Sequence, residues 1–311
     1  MPAADWPVLS LSESAETMDT LHLWTQIVGK VRLALEPMVN HWWQVPLYVS
    51  ARGLTTSLMH AGGLGLEMEF DFVDHVLVVR STAGRTTRIP LEPGSVAAFY
   101  AATMRALGEM GVEVALYPRP TEMDDDLPFP EDTAPRPYDG DAVHRFWLAL
   151  VQIARVMYLF RARFQGKVSP VHLFWGADDL AVTRFSGHPA PRHRGGVPHC
   201  PDWVQQMAYS HEVSSCGYWP GGSDEGTFYS YAYPAPPGFA ERPVAPAAAR
   251  YDTELGEFLL PYTAVREATD PDEVLLSFFQ STYEAAADLA QWDRAALEVA
   301  QPPSRGEAPV P

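Results

Sequence analysis

The chain has 311 residues, which is enough for one large domain or two of ordinary size. Its apolar fraction of 47% and aromatic fraction of 12% predict a globular core and argue against wholesale disorder. The formal net charge of −17 argues against DNA and RNA as partners, because nucleic-acid binders need a basic surface.

Cysteine content and hydropathy indicate where the protein works. Cys200 and Cys216 are too few for a disulfide scaffold and lack metal-type spacing. The first residues lack the basic start and apolar run of a signal peptide, and the apolar run 146–160 is interrupted by Gln152 and Arg155. We therefore expect a cytoplasmic protein without a membrane partner.

Helical spacing of apolar residues predicts four helices, at 16–35, 96–108, 141–163 and from 270 onward. Ser95 is the expected N-cap of the second helix and Gly111 its expected stop. Asp270, Pro271 and Glu273 form a capping box at the start of the fourth. The third helix is expected to bury Phe146, Trp147, Leu150, Met157 and Tyr158.

Strand patterns fill the segments between the helices. The first group is predicted at 45–55, 66–72, 75–80, 86–91 and 112–117, and the second at 171–175, 180–185, 209–217, 227–233 and 256–261. A hairpin turn is expected near Val73–Asp74. The glycine run in "AGGLGLE" precedes a strand and not a helix, so it predicts a turn and not a phosphate-binding loop.

The order helix, strands, helix occurs twice. It predicts an α+β fold of two similar α-β-β-β-α units, packed as one body, with mostly antiparallel sheets and helices on one face. Aligning "LHLWTQIVGKVRLAL" with "HRFWLALVQIARVMY" places Trp24 over Trp147, and the closing helices place Phe99 over Phe278. Shared helical periodicity also produces such matches, so internal duplication is a hypothesis.

Composition sets the expected boundaries of these units. They are an N-terminal extension at 1–13, a first unit at 14–123, an acidic proline-rich connection at 124–140, a second unit with long loops at 141–298, and a disordered tail at 299–311.

Polar residues in apolar segments predict a small-molecule site. The segment "SPVHLFWGADDLAVTRFSG" (169–187) is a hairpin whose Asp178 and Asp179 are most simply turn residues. The only lysines, Lys30 and Lys167, each follow a glycine; a GC-rich genome explains the arginine bias, and a retained lysine is a candidate for a functional ammonium. Catalytic candidates are His172, His211 and Lys167, and ligand-binding candidates are Arg52, Trp175, Arg184, Tyr209, Glu212 and Trp219.

No metal is expected, and the sequence identifies no cofactor. His211 and Glu212 are adjacent on a predicted strand and point to opposite faces, while His188, His193 and His199 fit no common zinc spacing. Tyr229, Tyr231 and Tyr233 are expected on one strand face.

Three functions remain open at this stage. The first is an enzyme with a histidine general acid–base and an arginine anion anchor. The second is a non-catalytic binder that stacks aromatic rings on its ligand, and the third is a structural or partner-binding protein without a pocket. Convergence of Lys167, His172, Arg184 and His211 in one cavity would favour the first. The oligomeric state is not predicted.

Six long motifs together resemble one known family. They are "TQIVGK", "NHWWQVPLYVSARGLTTS", "GKVSPVHLFWGADDLAVTRFSG", "YSHEVSSCGYWPGG", "ELGEFLLPY" and "QSTYEAAADLA". The chain is similar over residues 6–298 to the bacterial family called domain of unknown function 5996. The resemblance implies a single structural unit, and it implies no reaction and no catalytic residue.

Overall fold

The computed structural model describes residues 6–123 and 127–299, in which the chain forms seven α-helices and twelve β-strands. The helices are α1 (Ala15–Leu35), α2 (Val96–Glu109), α3 (Gly140–Ala162), α4 (Asp202–Ala208), α5 (Tyr262–Arg266), α6 (Pro271–Leu289) and α7 (Arg294–Leu297). The strands are β1 (Tyr48–Val49), β2 (Gly53–Thr55), β3 (Met59–Ala61), β4 (Leu64–Asp71), β5 (Val76–Ser81), β6 (Thr86–Pro90), β7 (His172–Phe174), β8 (Asp179–Pro189), β9 (His211–Trp219), β10 (Thr227–Tyr233), β11 (Arg250–Asp252) and β12 (Glu257–Pro261).

Local capping signals fix the helix ends where the sequence predicts them. The Ser95 hydroxyl accepts the Ala98 N–H at 3.1 Å and starts α2. Gly111 has φ +82°, and the following Val112 N–H donates to Leu107 O at 2.9 Å, which closes that helix as a Schellman motif. Asp270 accepts the Glu273 N–H at 3.1 Å at the start of α6.

The first sheet is antiparallel, with strand order β1-β2-β4-β5-β6 and β3 paired to β4. Alternation along β4 sends Met68 and Phe70 to one face and the acidic Glu67, Glu69 and Asp71 to the other. Phe70 stacks on Phe99 of α2 at 6.2 Å between ring centroids, and Phe99 stacks on Trp24 of α1 at 4.7 Å. The helix pair α1–α2 therefore covers the apolar face of this sheet.

The second sheet is a fully antiparallel arrangement with strand order β11-β12-β10-β9-β8-β7. One face packs on α3 and α6, where Phe146 meets Tyr218 at 6.4 Å and Phe228 meets Phe279 at 6.1 Å. We call the opposite face the open face, because no long helix packs along the strands there. It carries the candidate site.

The two sheets meet edge to edge. Leu47 and Leu173 exchange both backbone hydrogen bonds, at 2.9 and 2.8 Å. Two indoles reinforce this seam: Trp147 Nε1 donates to Ser50 O, and Trp175 Nε1 donates to Val45 O. The described residues therefore form one continuous body.

The α+β class and the antiparallel sheets are confirmed. Each sheet has six strands, more than the three of the α-β-β-β-α pattern and the five strand segments predicted in each half. Internal duplication stays a prediction. The aligned residues are buried but make different contacts: Trp24 stacks within its own unit, whereas Trp147 donates to Ser50 of the other. The aligned Arg32 donates to backbone carbonyls, whereas Arg155 pairs with Asp272 of α6.

Several element predictions are wrong. The segment 112–117 forms no strand, because no neighbouring strand pairs with it. Tyr158 is 53% exposed on α3, so the buried face of that helix is narrower than predicted. The acidic, proline-rich composition of the connection predicts a path over the surface, but Phe129 within it is buried. Residues 300–311, which make up all but the first residue of the predicted tail, lie outside the described residues, as do residues 1–5 of the extension and 124–126 of the connection.

Helix α3 has the length and apolar composition of a membrane span. More than half of its most apolar window is buried inside the protein, as in the core helix of a soluble protein.

Candidate functional site

Side chains on the open face converge from three neighbouring strands. The register pairs Thr183 of β8 with Ser215 of β9, and Ser215 with Tyr231 of β10. Two residues along each strand, on the same face, Ala181 pairs with Gly217, and Gly217 pairs with Tyr229. Because side chains alternate, Asp179 at the start of β8 lies on this same face.

Carboxyl and phenol groups cluster where this face meets the 117–123 loop and the segment after α4. We call this cluster the carboxyl cleft, and its members are Glu122, Asp178, Asp179, Tyr209, Tyr229, Tyr231 and Glu257. Tyr229 is buried, Glu122 is exposed, and the other members of the cluster are half-buried. Such enclosed but accessible polar groups are typical of ligand sites.

A carboxyl–phenol pair lies at the floor of the cleft. The Tyr229 hydroxyl donates a short hydrogen bond to Asp179. Burial raises the pKa of Asp179 to about 7, the Tyr229 hydrogen bond lowers it, and the charges of Glu122 and Asp178 raise it further. Asp179 therefore exchanges a proton near neutral pH.

Two more carboxylates stand at the cleft on strained backbone. Asp178 has φ +56° and Glu122 has φ +63°, a left-handed conformation that is uncommon for Glu. Burial raises the pKa of Asp178 to about 6 and raises that of Glu122 as well. The turn assignment of Asp178 is correct, but this turn faces the cleft.

Hydroxyl groups extend the polar lining along the open face. The Tyr209 and Tyr231 hydroxyls share a hydrogen bond at 2.8 Å, and Tyr231 also bonds to Ser215. The Ser215 hydroxyl in turn contacts Thr183 at 2.8 Å. Burial raises the pKa of Glu257, on the next strand, to about 7. The cleft is thus lined by groups that bind neutral polar atoms.

A polar stripe on α1 holds one wall of the cleft. His22, Gln26 and Lys30 are spaced by four residues and so share one helix face. Gln26 exchanges two hydrogen bonds with the Thr121 backbone at 2.7 and 2.8 Å, and Lys30 Nζ donates to the Thr121 hydroxyl at 2.6 Å. His22 Nε2 donates to the Trp175 and Gly176 carbonyls. The stripe thereby fixes Thr121 next to Glu122.

Gly217 allows the floor of the cleft to close. A Cβ at this position would overlap the Tyr229 ring and approach the Leu180 carbonyl. We expect Gly217→Ala to lower the free energy of unfolding by about 1–3 kcal/mol, because the added methyl overpacks the sheet. Urea denaturation measures the change, and Gly63→Ala is the matched control because open space surrounds Gly63. Equal stability of the two variants would contradict the packing described.

Two of the predicted catalytic residues meet at a different place on the same sheet. Lys167 Nζ donates to His41 Nε2 at 2.6 Å, and the His41 ring lies 6.0 Å from that of His211. His41 Nδ1 donates to Ala208 O, which fixes the ring. His41 was singled out from the sequence beside Trp42 and Trp43, and as a metal ligand only if the fold brought it to His172 and His211, but it was given no catalytic role. It lies beside Phe185 at the far end of β8 from the carboxyl cleft.

The predicted convergence of Lys167, His172, Arg184 and His211 is wrong. Strand alternation puts His172 on the open face and Arg184 on the helix face. Arg184 is fully buried against Phe160 and Tyr283 and donates to Phe160 O. His172 is also fully buried, and its ring nitrogens have no hydrogen-bond partner among the described residues.

The other predicted ligand-binding residues lie apart, except Tyr209, which lines the cleft. Arg52 pairs with Asp71 and Asp74 on the outer face of the first sheet. The Trp175 indole is buried in the seam between the sheets. Glu212 accepts from Ser186 and lines a separate cavity of about 330 Å³ beside α6. Trp219 is an exposed residue at the end of β9.

A larger apolar groove of about 660 Å³ runs along α3 between residues 49–51 and 147–159. Its lining contains no carboxylate and no histidine. Among the described residues, no three His, Cys, Asp or Glu side chains are grouped to hold a metal ion. The carboxyl cleft is therefore the strongest candidate for chemistry.

Comparison with known families gives one result. The model of a family of unknown function, DUF5996, matches residues 6–299. The chain belongs to the DUF5996 family. No curated protein and no solved structure matches this chain. The whole fold described above is thus the DUF5996 unit, since the match spans both sheets.

Sequence reasoning on this DUF5996 chain singled out Asp178, Asp179, Tyr209, Tyr229 and Tyr231, but it proposed a ligand-binding role only for Tyr209. Glu122, Glu257, His22 and Gln26 were not among the candidates. The polar stripe on α1 was detectable, because polar residues recur every four positions within a helix that is otherwise buried. The two carboxylates outside the hairpin carried no local signal, because the fold brings them together from distant segments.

Proposed function

We propose that this chain is an enzyme that binds a small polar molecule in the carboxyl cleft and acts on it by general acid–base catalysis. The observation that carries the proposal is the Asp179–Tyr229 pair at the floor of the cleft, with Asp178 beside it. In this proposal Asp179 takes the acid–base role first assigned to the histidines.

The chemistry follows from the two protonation states of Asp179. As a carboxylate it accepts a proton from a bound hydroxyl or an activated C–H, and as an acid it returns one to a leaving oxygen. A pKa of about 7 keeps both states populated near neutral pH, where a general acid–base is most effective. The Tyr229 hydroxyl donates to the Asp179 carboxylate and holds it in position.

The charge of the cleft restricts its ligand. Four carboxyl groups line it. The two arginines predicted to bind a ligand are engaged elsewhere: Arg52 pairs with Asp71, and Arg184 donates to the Phe160 carbonyl. Like charges repel at short range, so the cleft favours a neutral or cationic ligand over an anion. The net charge of −17 argues against nucleic acid in the same way. We place this activity in the bacterial cytoplasm, with a small molecule as the partner.

A second function, binding without catalysis, is favoured by one observation. At the outer side of the cleft the His193 ring stacks on Tyr209 at 4.8 Å, and Tyr233 lies 5.1 Å from Tyr209. Such a cluster grips flat or cationic ligands. It differs from the first proposal in predicting retention of a ligand without turnover.

The test begins with thermal-shift screening against neutral polyols, aldehydes, ketones and amines. NMR then follows whether each stabilising compound is consumed. We expect the wild type to consume a compound that Asp179→Asn binds but leaves unchanged, because the amide still accepts from Tyr229 and cannot transfer the proton. Binding without consumption by the wild type would support the binder, and equal turnover by Asp179→Asn would overturn the catalytic role.

The same variant has a predicted effect on stability. The pKa of Asp179 is raised in the folded protein, so the folded state loses stability as pH rises from about 4 through about 7. We expect Asp179→Asn to be more stable than the wild type at pH 8 by about 2 kcal/mol, after discounting for partial solvent access. Urea denaturation at pH 8 measures this, with the exposed Asp141→Asn as control. A destabilised Asp179→Asn would contradict the burial cost.

A further inference from the structure

Basic side chains gather on the open face, at the end that lies away from the carboxyl cleft. We call them the basic cluster, and its members are His41, Lys167 and His211. Lys167 Nζ donates to His41 Nε2 at 2.6 Å, and the His211 ring lies 6.0 Å from the His41 ring. Lys167 is exposed and His211 is half-buried, whereas His41 is buried. Two of the three side chains are therefore accessible to a ligand from solvent.

His41 is held as a neutral support for the lysine. Its Nδ1 donates to Ala208 O at 2.9 Å, so its Nε2 carries the lone pair that accepts from Lys167. Burial lowers the pKa of His41, its backbone hydrogen bond partly offsets this, and the charges of Lys167 and His211 lower it further. His41 and Trp42 have φ +58° and +63°, a left-handed conformation that costs energy and is concentrated at functional sites. The local backbone is thus strained in the geometry that presents His41 to the lysine.

The basic cluster has hydrogen-bond donors that lack acceptors. An ammonium has three N–H groups, and Lys167 uses one of them on His41. The described part of the chain offers the other two no acceptor. The His211 Nδ1 shares a hydrogen bond with the Ser210 hydroxyl at 3.0 Å, and no described residue bonds to its Nε2. An acceptor from outside the chain can therefore bind both accessible side chains.

The basic cluster also lacks a carboxylate, although the chain has 39 acidic side chains against 22 lysines and arginines. Arg52, for example, pairs with two aspartates, whereas no described carboxylate forms an ion pair with Lys167. Glu212 follows His211 in β9, but strand alternation points it to the helix face, where Ser186 donates to it. Like charges that are held together without a counter-charge repel each other, and a bound anion relieves that repulsion.

We propose that the basic cluster is a binding site for a small oxyanion, the carboxylate or phosphate group of a ligand. Lys167 supplies the positive charge and two N–H donors, and His211 supplies a third donor from Nε2. The rings of Trp43 and Phe185 lie 5.5 and 5.1 Å from Lys167 Nζ and flank the ammonium. The site is separate from the carboxyl cleft and opposite to it in charge preference, so the inference does not depend on the proposed function.

The test is a titration of the full-length protein with sodium phosphate and, separately, with sodium acetate. The pH is held at 7, and sodium chloride keeps the ionic strength constant. NMR spectra of the histidine rings report binding, and the signals of His41 and His211 are assigned by their loss in His41→Gln and His211→Gln. We expect these two signals to shift to saturation with at least one of the anions, while that of the exposed His60 stays in place. The anion that saturates the shift distinguishes a phosphate from a carboxylate ligand.

Variants of the two accessible residues separate the possible outcomes. Lys167→Met removes the charge and should weaken anion binding by about tenfold, whereas Lys167→Arg keeps a cation and should stay within about threefold of the wild type. His211→Gln provides a second test if Lys167→Met does not fold, and we expect a loss of about threefold, observed at the His41 signal. Asp179→Asn should bind the anion as the wild type does, so a failure of the acid–base proposal leaves this inference standing. Absence of a saturable shift below about 50 mM of either anion, or equal affinity in the wild type and Lys167→Met, would overturn it.

Discussion

Replacing Phe278 with alanine is expected to lower the free energy of unfolding by about 3–5 kcal/mol. Phe278 is fully buried on α6, the helix that covers the second sheet together with α3. Removal of its ring takes away apolar burial and leaves a cavity that a rigid helix–sheet interface fills only in part. Urea denaturation at neutral pH measures the loss.

A matched control comes from the neighbouring helix. Tyr158 on α3 is a large aromatic residue that is 53% exposed, and its truncation to alanine is expected to change stability by less than about 1 kcal/mol. A Phe278→Ala protein as stable as Tyr158→Ala would mean that α6 does not cover the core.

Acid is expected to destabilise the protein through His172. Burial, followed by the nearby charge of Arg32, lowers the pKa of His172 from 6.5 to about 3. Between pH 6.5 and pH 3, His172 is therefore protonated in the unfolded chain but not in the folded chain. The free energy of unfolding falls as pH falls through this interval. The interval between the two pKa values corresponds to roughly 4–5 kcal/mol. Urea denaturation between pH 7 and pH 4 measures the slope.

The non-titratable aromatic variant His172→Phe isolates this contribution. It keeps an aromatic ring beside Phe174 and Tyr48 but cannot be protonated, so its stability should fall less steeply with acid than that of the wild type. It also removes two buried ring nitrogens that lack partners, so no large loss is expected at pH 8. The exposed His60→Gln should keep the wild-type slope. Identical slopes in all three proteins would exclude His172 as the acid-sensitive group.

Elements with local signals were predictable from the sequence. Caps such as Ser95 and Asp270 act within one turn of their helix, and the alternation in 227–233 matches β10 residue for residue. Elements that depend on a distant partner were not predictable. The alternating segment 112–117 remains unpaired, whereas the short β3 and β11 are strands because β4 and β12 are beside them.

The candidate site was predictable only in part, for the same reason. The hairpin at 169–187 and Tyr209 do contribute to the open face. Which polar residues converge depended on strand register. His172 pairs with Ala181, and Arg184, three residues further along β8, points to the opposite face of the sheet. Glu122 reaches the cleft from a loop between the two units, and no spacing in the sequence places it there.

The seam at Leu47 and Leu173 bears on why the two halves remain one chain. β1 and β7 are each the edge strand of their own sheet, and each covers part of the other's free backbone edge. Edge strands with unpaired N–H and C=O groups invite pairing with foreign chains and aggregation. Either half alone would expose such an edge, and the first half alone would also expose the Val45 and Ser50 carbonyls, which indoles of the second half now cap. Because both halves belong to one polypeptide, each edge strand is synthesised together with the strand that covers it.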